Sequence, residues 1–268
     1  MAAGDPLPSA LPLATTIPQE AEERRIALFL DFDGTLSPIV ARPDDASISE
    51  DMRAAVAAVG APCAVAVVSG RTLEDVRERV GLTTVAYAGG HGLDFRSVDG
   101  EEWHHPDAPA FLDELGAAEA ELRKQLAPFE GVEVEGKRYS VAVHFRRANA
   151  AELPAVEYAV RGVLDAHPRL QELPGKMVHD IRPALPWDKG ESVLWMIERL
   201  GGVRAVLPVY IGDDRTDEDA FAVLDGIGAA IVVRDVAAPT RATHVLAGPS
   251  EVQVFLERLA SALPRSAA

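Results

Sequence analysis

Apolar and polar positions along the chain follow two rhythms. Ile26, Ala27, Leu28, Phe29 and Leu30 form an unbroken apolar run, and so do Ala64 to Val68 and Thr84 to Ala88. Runs without alternation fit strands buried on both faces of a parallel sheet. Helix signals lie between them. Ser49 stands before Glu50 and Asp51 in a segment that Gly60 stops, and Thr72 stands before a segment that Gly81 stops. Strand, helix, strand, helix, strand predicts an α/β fold with a Rossmann-like, doubly wound parallel sheet.

The rhythm then changes. Phe111, Leu112, Leu115, Ala118, Leu122 and Leu126 recur at helical spacing over 109–126. Val132 and Val134 alternate with Glu133, Glu135 and Lys137. Tyr139, Val141, Val143 and Phe145 alternate with Ser140, His144 and Arg146. This period of two predicts antiparallel strands with one polar face. A helix over 153–166 and extended segments at 170–173 and 177–181 complete an inserted α+β unit, helix-strand-strand repeated twice, over 105–182. The parallel pattern resumes with a helix from Asp188 to Gly201 and a strand over 209–211, with Pro208 expected only at its start. Short strands over 231–233 and 243–246 follow, and then a last helix boxed by Ser250 and Gln253. The core is therefore expected over 26–104 and 183–268. Residues 1–25, with Pro6, Pro8, Pro12 and Pro18, read as a flexible extension, and those past Leu263 as a frayed tail.

Composition narrows the function classes. At 268 residues with 48% hydrophobic and 25% charged positions, the chain is a globular protein with room for one large or two modest domains. A formal net charge of −16 repels nucleic acid and acidic membrane surfaces. An anionic substrate would have to be held by a few placed cations or a metal. No run approaches the ~20 apolar residues of a membrane span, and no basic segment precedes an apolar stretch at the N-terminus. A cytoplasmic monomer is the expectation. The single cysteine, Cys63, excludes an intramolecular disulfide and reads as a small core residue.

The chemistry gathers at strand ends. The first strand runs into Asp31-Phe32-Asp33-Gly34-Thr35, the second into Ser69-Gly70-Arg71 and the third into Gly90-His91-Gly92. Lys189 sits in the first turn of a helix, and a later strand runs into Gly212-Asp213-Asp214-Arg215-Thr216-Asp217. In a parallel sheet, ligands bind beyond the carboxyl ends of the strands. Carboxylates there suit Mg²⁺, a hard cation with oxygen ligands. Asp31 could attack phosphorus, Asp33 could protonate the leaving oxygen and then activate water, and Ser69 and Lys189 could hold the transferring phosphoryl oxygens. Each motif alone has a plain structural reading as turn acids, a helix entry or a solvated lysine. Their joint order points to phosphoryl transfer.

In these motifs the chain resembles the haloacid dehalogenase-type phosphatases. Asp31-Phe32-Asp33-Gly34-Thr35-Leu36 looks like their nucleophile motif, and Ser69, Lys189 and Gly212-Asp213-Asp214 look like the other three. Ser69-Gly70-Arg71, Gly90-His91-Gly92, Trp187-Asp188-Lys189-Gly190 and the run from Gly212 to Phe221 are similar to trehalose-6-phosphate phosphatases. That resemblance implies Mg²⁺-dependent hydrolysis of trehalose 6-phosphate through an aspartyl-phosphate. The metal would lie among Asp31, Asp33, Asp213, Asp214 and Asp217, and which of Asp214 and Asp217 touches it stays open. The inserted unit matches the family's cap. Glu135, Lys137 and Arg146 match its sugar-phosphate ligands, His144 lies beside them, and Arg71 and His91 fall in substrate-facing motifs. Asp180 departs from the pattern, standing where the family usually has Glu before an Arg-Pro pair. A phosphatase of another sugar phosphate, a phosphomutase and a non-catalytic sugar-phosphate sensor remain as alternatives.

Overall fold

Helix α1 (Leu13–Glu20) and strand β1 (Arg25–Leu30) begin the fold of a computed structural model that describes residues 7–40, 42–175 and 177–263. The alternating β–α pattern follows as α2 (Glu50–Gly60), β2 (Ala64–Val68), α3 (Leu73–Val80) and β3 (Ala86–Gly89), with β4 (Asp94–Arg96) and β5 (Glu102–His104) after it. The insertion holds α4 (Leu112–Leu126), β6 (Glu133–Gly136), β7 (Val141–His144), α5 (Leu153–Ala166), β8 (Leu170–Gly175) and β9 (Val178–Pro183). The chain closes with α6 (Lys189–Arg199), β10 (Val206–Gly212), α7 (Asp217–Val223), β11 (Ala229–Val233), β12 (His244–Leu246) and α8 (Pro249–Ala262). By contacts it divides into two units, Met1–Trp103 with Trp187–Ala268, and His104–Pro186.

The first unit is built on one eight-stranded sheet in the order β12-β11-β10-β1-β2-β3-β4-β5, parallel from β12 to β3, with β4 antiparallel to β3. Successive β1 side chains go to opposite faces. Ile26, Leu28 and Leu30 join one core with α1, α2, α3 and α8, and Ala27 and Phe29 join the other with α6 and α7. Both faces of the central strand are thus covered, which is why its sequence does not alternate. Helix starts follow the local chemistry. Ser49 Oγ accepts from the Met52 N–H at 3.1 Å, Thr72 Oγ1 from Asp75 at 3.2 Å and Asp188 Oδ1 from Glu191 at 3.0 Å. Gly81 ends α3 at φ 68°, a left-handed conformation that suits glycine. Burial pushes the Cys63 thiol up to about 11, which keeps it a protonated core residue. Trp103 and Trp187, where the chain leaves and re-enters this unit, lie 5.7 Å apart, and Trp103 stacks on Trp195 at 4.3 Å.

Three expectations are corrected. The described part of 1–25 is no loose extension. Ala10, Ala14, Ile17 and Ala21 are buried at helix spacing, α1 packs in the α8 core, and residues 8–10 cover the outer edge of β12 through Ala10 N–H to Val245 O at 2.9 Å and Val245 N–H to Pro8 O at 3.0 Å. Prolines mask this packing in the sequence, although Pro8 lies where only its carbonyl is needed. Pro208 lies inside β10 and not at its start. Its carbonyl faces Gly228 on the β11 side, where pairing begins only at Val209, so the missing N–H breaks no ladder bond. Ser250 does not cap α8. Gly248 holds the cap position with Pro249 behind it, and Glu251 Oε2 accepts from the Ala247 N–H at 2.9 Å. The tail past 263 lies outside the described residues.

The second unit is an antiparallel sheet in the order β6-β7-β9-β8. Leu115, Ala118, Leu122 and Leu126 of α4 and Val156, Val160 and Val163 of α5 pack with Val141, Val143 and Ile181. The register Glu135↔Ala142↔Asp180 and Glu133↔His144 sets these residues on the face opposite those helices, where Glu133 and Glu135 are exposed and Ala142 and Asp180 are buried. Strand β7 is shorter than its alternation suggests. Arg146 falls in the turn beyond it, and Lys137 in the turn that its N–H closes on Ser140 O at 2.8 Å.

Candidate active site

Parallel register assembles the site. Leu30 pairs with Ile211 and with Val67, so the residues that follow, Asp31, Gly212-Asp213 and Val68-Ser69, emerge side by side at the carboxyl edge. Asp31 continues the ladder through its N–H to Ile211 O at 2.9 Å. Two residues beyond Phe29, it points to the same face as Phe29 and its strand partner Tyr210, the face covered by α6 and α7. Those helices bring Lys189 and Asp217 at their first turns.

The result is a buried polar chain. Lys189 Nζ donates to Asp31 Oδ1 and to Asp217 Oδ1, both at 2.7 Å. Tyr210 O–H donates to the same Asp217 oxygen at 2.7 Å, and the Asp214 N–H donates to Asp217 Oδ2 at 2.8 Å. Asp31, Lys189 and Asp217 are 4%, 3% and 0% exposed, so water screens none of these contacts. Carboxylate oxygens of Asp31, Asp213 and Asp217 lie within 4.8 Å of one another. Burial raises the Asp31 carboxyl well above its ordinary value; Lys189 opposes this, while Asp217 and Asp213 add to it. Lys189 is held charged: burial alone would lower it, but Asp217 and Asp31 outweigh that. Gly34, at φ 90°, passes so close that a Cβ there would fall 2.2 Å from Asp213 Oδ2. The loop after the first strand therefore needs a glycine both for its turn and for this approach.

Asp33 belongs to a second chain. Arg71 Nε and Nη2 donate to its two oxygens at 2.7 Å each, a bidentate pair, and Arg71 Nη1 donates to Asp75 Oδ2 at 2.7 Å. Asp75 in turn accepts Arg79 Nε at 2.8 and 2.9 Å, and Arg79 reaches the carbonyls of Asp44 and Ala46. Burial alone would raise Asp75, but the hydrogen bonds from Arg79 and Arg71 win and hold it below its ordinary value. A depressed carboxyl contributes stability that is intact above the unfolded value near 3.8 and is lost as pH falls through the folded one. Asp75→Asn should therefore lower urea stability at pH 6 and flatten the loss of stability below pH 4. Equal acid-side slopes in parent and variant would show that the network contributes nothing.

Ser69 is buried, with its Oγ accepting the Arg71 N–H at 3.1 Å. His91 sits at φ 56°, its N–H bonded to Ser69 O at 2.9 Å, and its ring lies so near the turn that a Cβ at Gly70 would meet Cε1 at 2.6 Å. Among the expected acids, Asp214 contributes its N–H to Asp217, and Asp33 turns its carboxylate to Arg71. In the second unit, Glu135, His144 and Asp180 share the sheet face opposite its helices, Asp180 buried, with His144 Nε2 2.8 Å from Glu135 Oε2. Sequence reasoning missed Tyr210, Asp75 and Arg79. Tyr210 hides in an apolar run, where the only hint is that a buried phenol needs a hydrogen-bond partner. Asp75 reads as one more acid in a helix's first turn.

A carboxylate-lysine-carboxylate chain at the end of the central strand of a parallel α/β sheet, with a separate α+β insertion, defines a haloacid dehalogenase-type protein. The trehalose-phosphatase family model matches residues 29–250, and the chain belongs to that family. Trehalose-phosphate phosphatase of Mycobacterium tuberculosis is 44% identical over 245 residues, covering 90% of this chain. This chain spans 62% of that relative's length. Trehalose-phosphate phosphatase B of Arabidopsis thaliana is 39% identical over 264 residues, 94% of this chain and 71% of the relative. The C-terminal domain of trehalose-6-phosphate phosphatase from C. albicans shares the fold, with a TM-score of 0.81 at 23% identity over 95% of this chain and 98% of that one.

Proposed function

We propose that this chain hydrolyses trehalose 6-phosphate to trehalose and inorganic phosphate with Mg²⁺ as cofactor, Asp31 being the nucleophile. The observation that carries this reading is the buried Asp31–Lys189 contact of 2.7 Å at the end of β1, beside Asp213 and Asp217. Three carboxylates, Asp31, Asp213 and Asp217, converge here with the Lys189 ammonium. The donors are all carboxylate oxygens, which suits a hard divalent cation. Asp31 and Asp213 would hold it, with Asp217 completing the acidic wall. When bound, the cation offsets the repulsion between carboxylate and phosphate.

The protein's own residues do the rest. Asp31 Oδ forms a bond to phosphorus as the bond from phosphorus to the sugar oxygen breaks, giving an acyl phosphate on Asp31. Lys189 spends two of its three N–H groups on Asp31 and Asp217, and the third is available to a phosphoryl oxygen. Ser69 offers its hydroxyl to the same group. Asp33 gives a proton to the leaving sugar oxygen and later takes one from the water that cleaves the acyl phosphate. Both Asp33 oxygens accept from Arg71, and the incoming phosphate is a competing partner for that guanidinium. Phosphate release across a panel of sugar phosphates, with and without Mg²⁺, tests the reading. Release should be fastest from trehalose 6-phosphate and should need the cation. Faster release from another sugar phosphate would reassign the substrate, with the shorter Asp180 as the first place to look.

The polar face of the second unit's sheet and the turns at its strand ends, which carry Lys137 and Arg146, supply the sugar's ligands on this reading. Lys137→Ala and Arg146→Ala should then impair trehalose 6-phosphate hydrolysis at least about tenfold more than that of a small aryl phosphate, because only the larger substrate has remote groups whose binding acts at the transition state. Equal losses on both substrates would contradict a role in sugar recognition.

A further inference from the structure

Tyr210 is wholly buried, its ring edge-on to Phe221 with centroids 5.7 Å apart. A phenylalanine would fill that space equally well. The hydroxyl is therefore the informative atom, because burying an O–H is unfavourable unless it finds an acceptor. The acceptor is Asp217 Oδ1 at 2.7 Å, the same oxygen that takes Lys189 Nζ at 2.7 Å, while Oδ2 takes the Asp214 N–H at 2.8 Å. Three donors in three directions fix the plane of the Asp217 carboxylate. That plane otherwise turns easily, since a terminal sp³–sp² torsion is broad.

The consequence passes to Lys189. Its ammonium is tetrahedral about Nζ. With one N–H on Asp217 and one on Asp31 at 2.7 Å, the direction of the third is determined. We infer that Tyr210 is a positioning residue for the hydrolysis proposed above: by holding the Asp217 carboxylate, it fixes the direction in which Lys189 presents its remaining N–H beside Asp31. The inference rests on that functional reading. Tyr210 touches no reacting atom and acts only through Asp217 and Lys189. Without its hydroxyl, Asp217 Oδ1 faces the ammonium as its sole donor and draws Nζ toward itself and away from Asp31. Preorganised charge aimed at the transferring phosphoryl group acts mainly on the transition state. The loss should therefore appear in kcat and not in KM.

Tyr210→Phe tests this, with a small aryl phosphate as substrate and the Lys189 ammonium NMR signal of metal-free, lysine-labelled protein as a readout independent of activity. Phe221→Leu disturbs the same packing and leaves the hydroxyl in place, so it serves as the control. The expected result for Tyr210→Phe is a kcat lowered about tenfold, KM within about twofold of the parent and a displaced ammonium signal. Phe221→Leu should lower the melting temperature and leave that signal in place. A Tyr210→Phe protein with parental kcat, or with an undisplaced ammonium signal, would overturn the inference. So would equal displacement by Phe221→Leu, which would make packing the cause. A parent that hydrolyses no phosphate ester would overturn the functional reading instead, and the ammonium signal would still decide whether Tyr210 sets Lys189.

Discussion

Asp31→Asn should lower turnover by roughly 10⁴-fold or more, the scale of loss when a nucleophile is removed from a covalent mechanism, while the protein still folds. Asparagine keeps the shape and can still accept from Lys189 Nζ, but it has no carboxylate to attack phosphorus. The fold should survive for a specific reason. Burial, with Asp217 and Asp213 adding to it, disfavours the ionised Asp31 in the native state, although Lys189 opposes this. A carboxyl raised on folding contributes stability that is fully present below the unfolded value near 3.8 and is lost as pH rises through the folded one. Asparagine does not titrate. Metal-free Asp31→Asn should accordingly lose less urea stability than the parent between pH 4 and pH 8. A folded Asp31→Asn protein with near-parental turnover would remove Asp31 from the chemistry.

Lys189→Met should have the largest effect on stability. Lys189 is 3% exposed and is the shared partner of Asp31 and Asp217, themselves 4% and 0% exposed. Methionine is similar in length and leaves both carboxylates without their ammonium donor. Breaking a buried ion pair from one side costs roughly 3–5 kcal/mol, because the remaining charge stays buried and unpaired. The urea midpoint of the metal-free variant should fall accordingly, with an unchanged m-value. A divalent cation should restore part of the loss by neutralising the same carboxylates. An unchanged midpoint would mean that water reaches these acids freely and that the electrostatic picture of the site is wrong.

Much of the arrangement was legible in the chain because it follows local rules. Ile26 to Leu30 is apolar on every position because α2 and α8 lie on one face and α6 and α7 on the other. Ser49, Thr72 and Asp188 cap helices because an oxygen there satisfies an orphan N–H. Parallel order then places Asp31, Asp213 and Ser69 at one edge with no further information. The alternation around Glu135 and His144 separated the polar face of the second sheet from its helix-covered face for the same reason.

Other features were not legible because they depend on register or on partners distant in sequence. Pro208 is harmless inside β10 only because β11 begins pairing one residue later. Ala10, Ala14, Ile17 and Ala21 are buried at near-helical spacing, with Ala14 and Ile17 inside α1, yet the prolines around them dominate a local reading. Arg71 reads as a substrate cation in sequence, and its guanidinium spans Asp33 and Asp75, a pairing that depends on Asp33, a partner distant from the motif. Tyr210 looks like an ordinary strand aromatic until β1, α6 and α7 bring Asp217 to its hydroxyl.

The most direct test is to acid-quench the protein while it turns over trehalose 6-phosphate with Mg²⁺ and to locate the phosphoryl group by peptide mass spectrometry. A hydroxylamine-labile phosphoryl group on Asp31, absent from Asp31→Asn, is the predicted result. Phosphate released at the full rate with no phosphorylated carboxylate, or with the group on another residue, would contradict it.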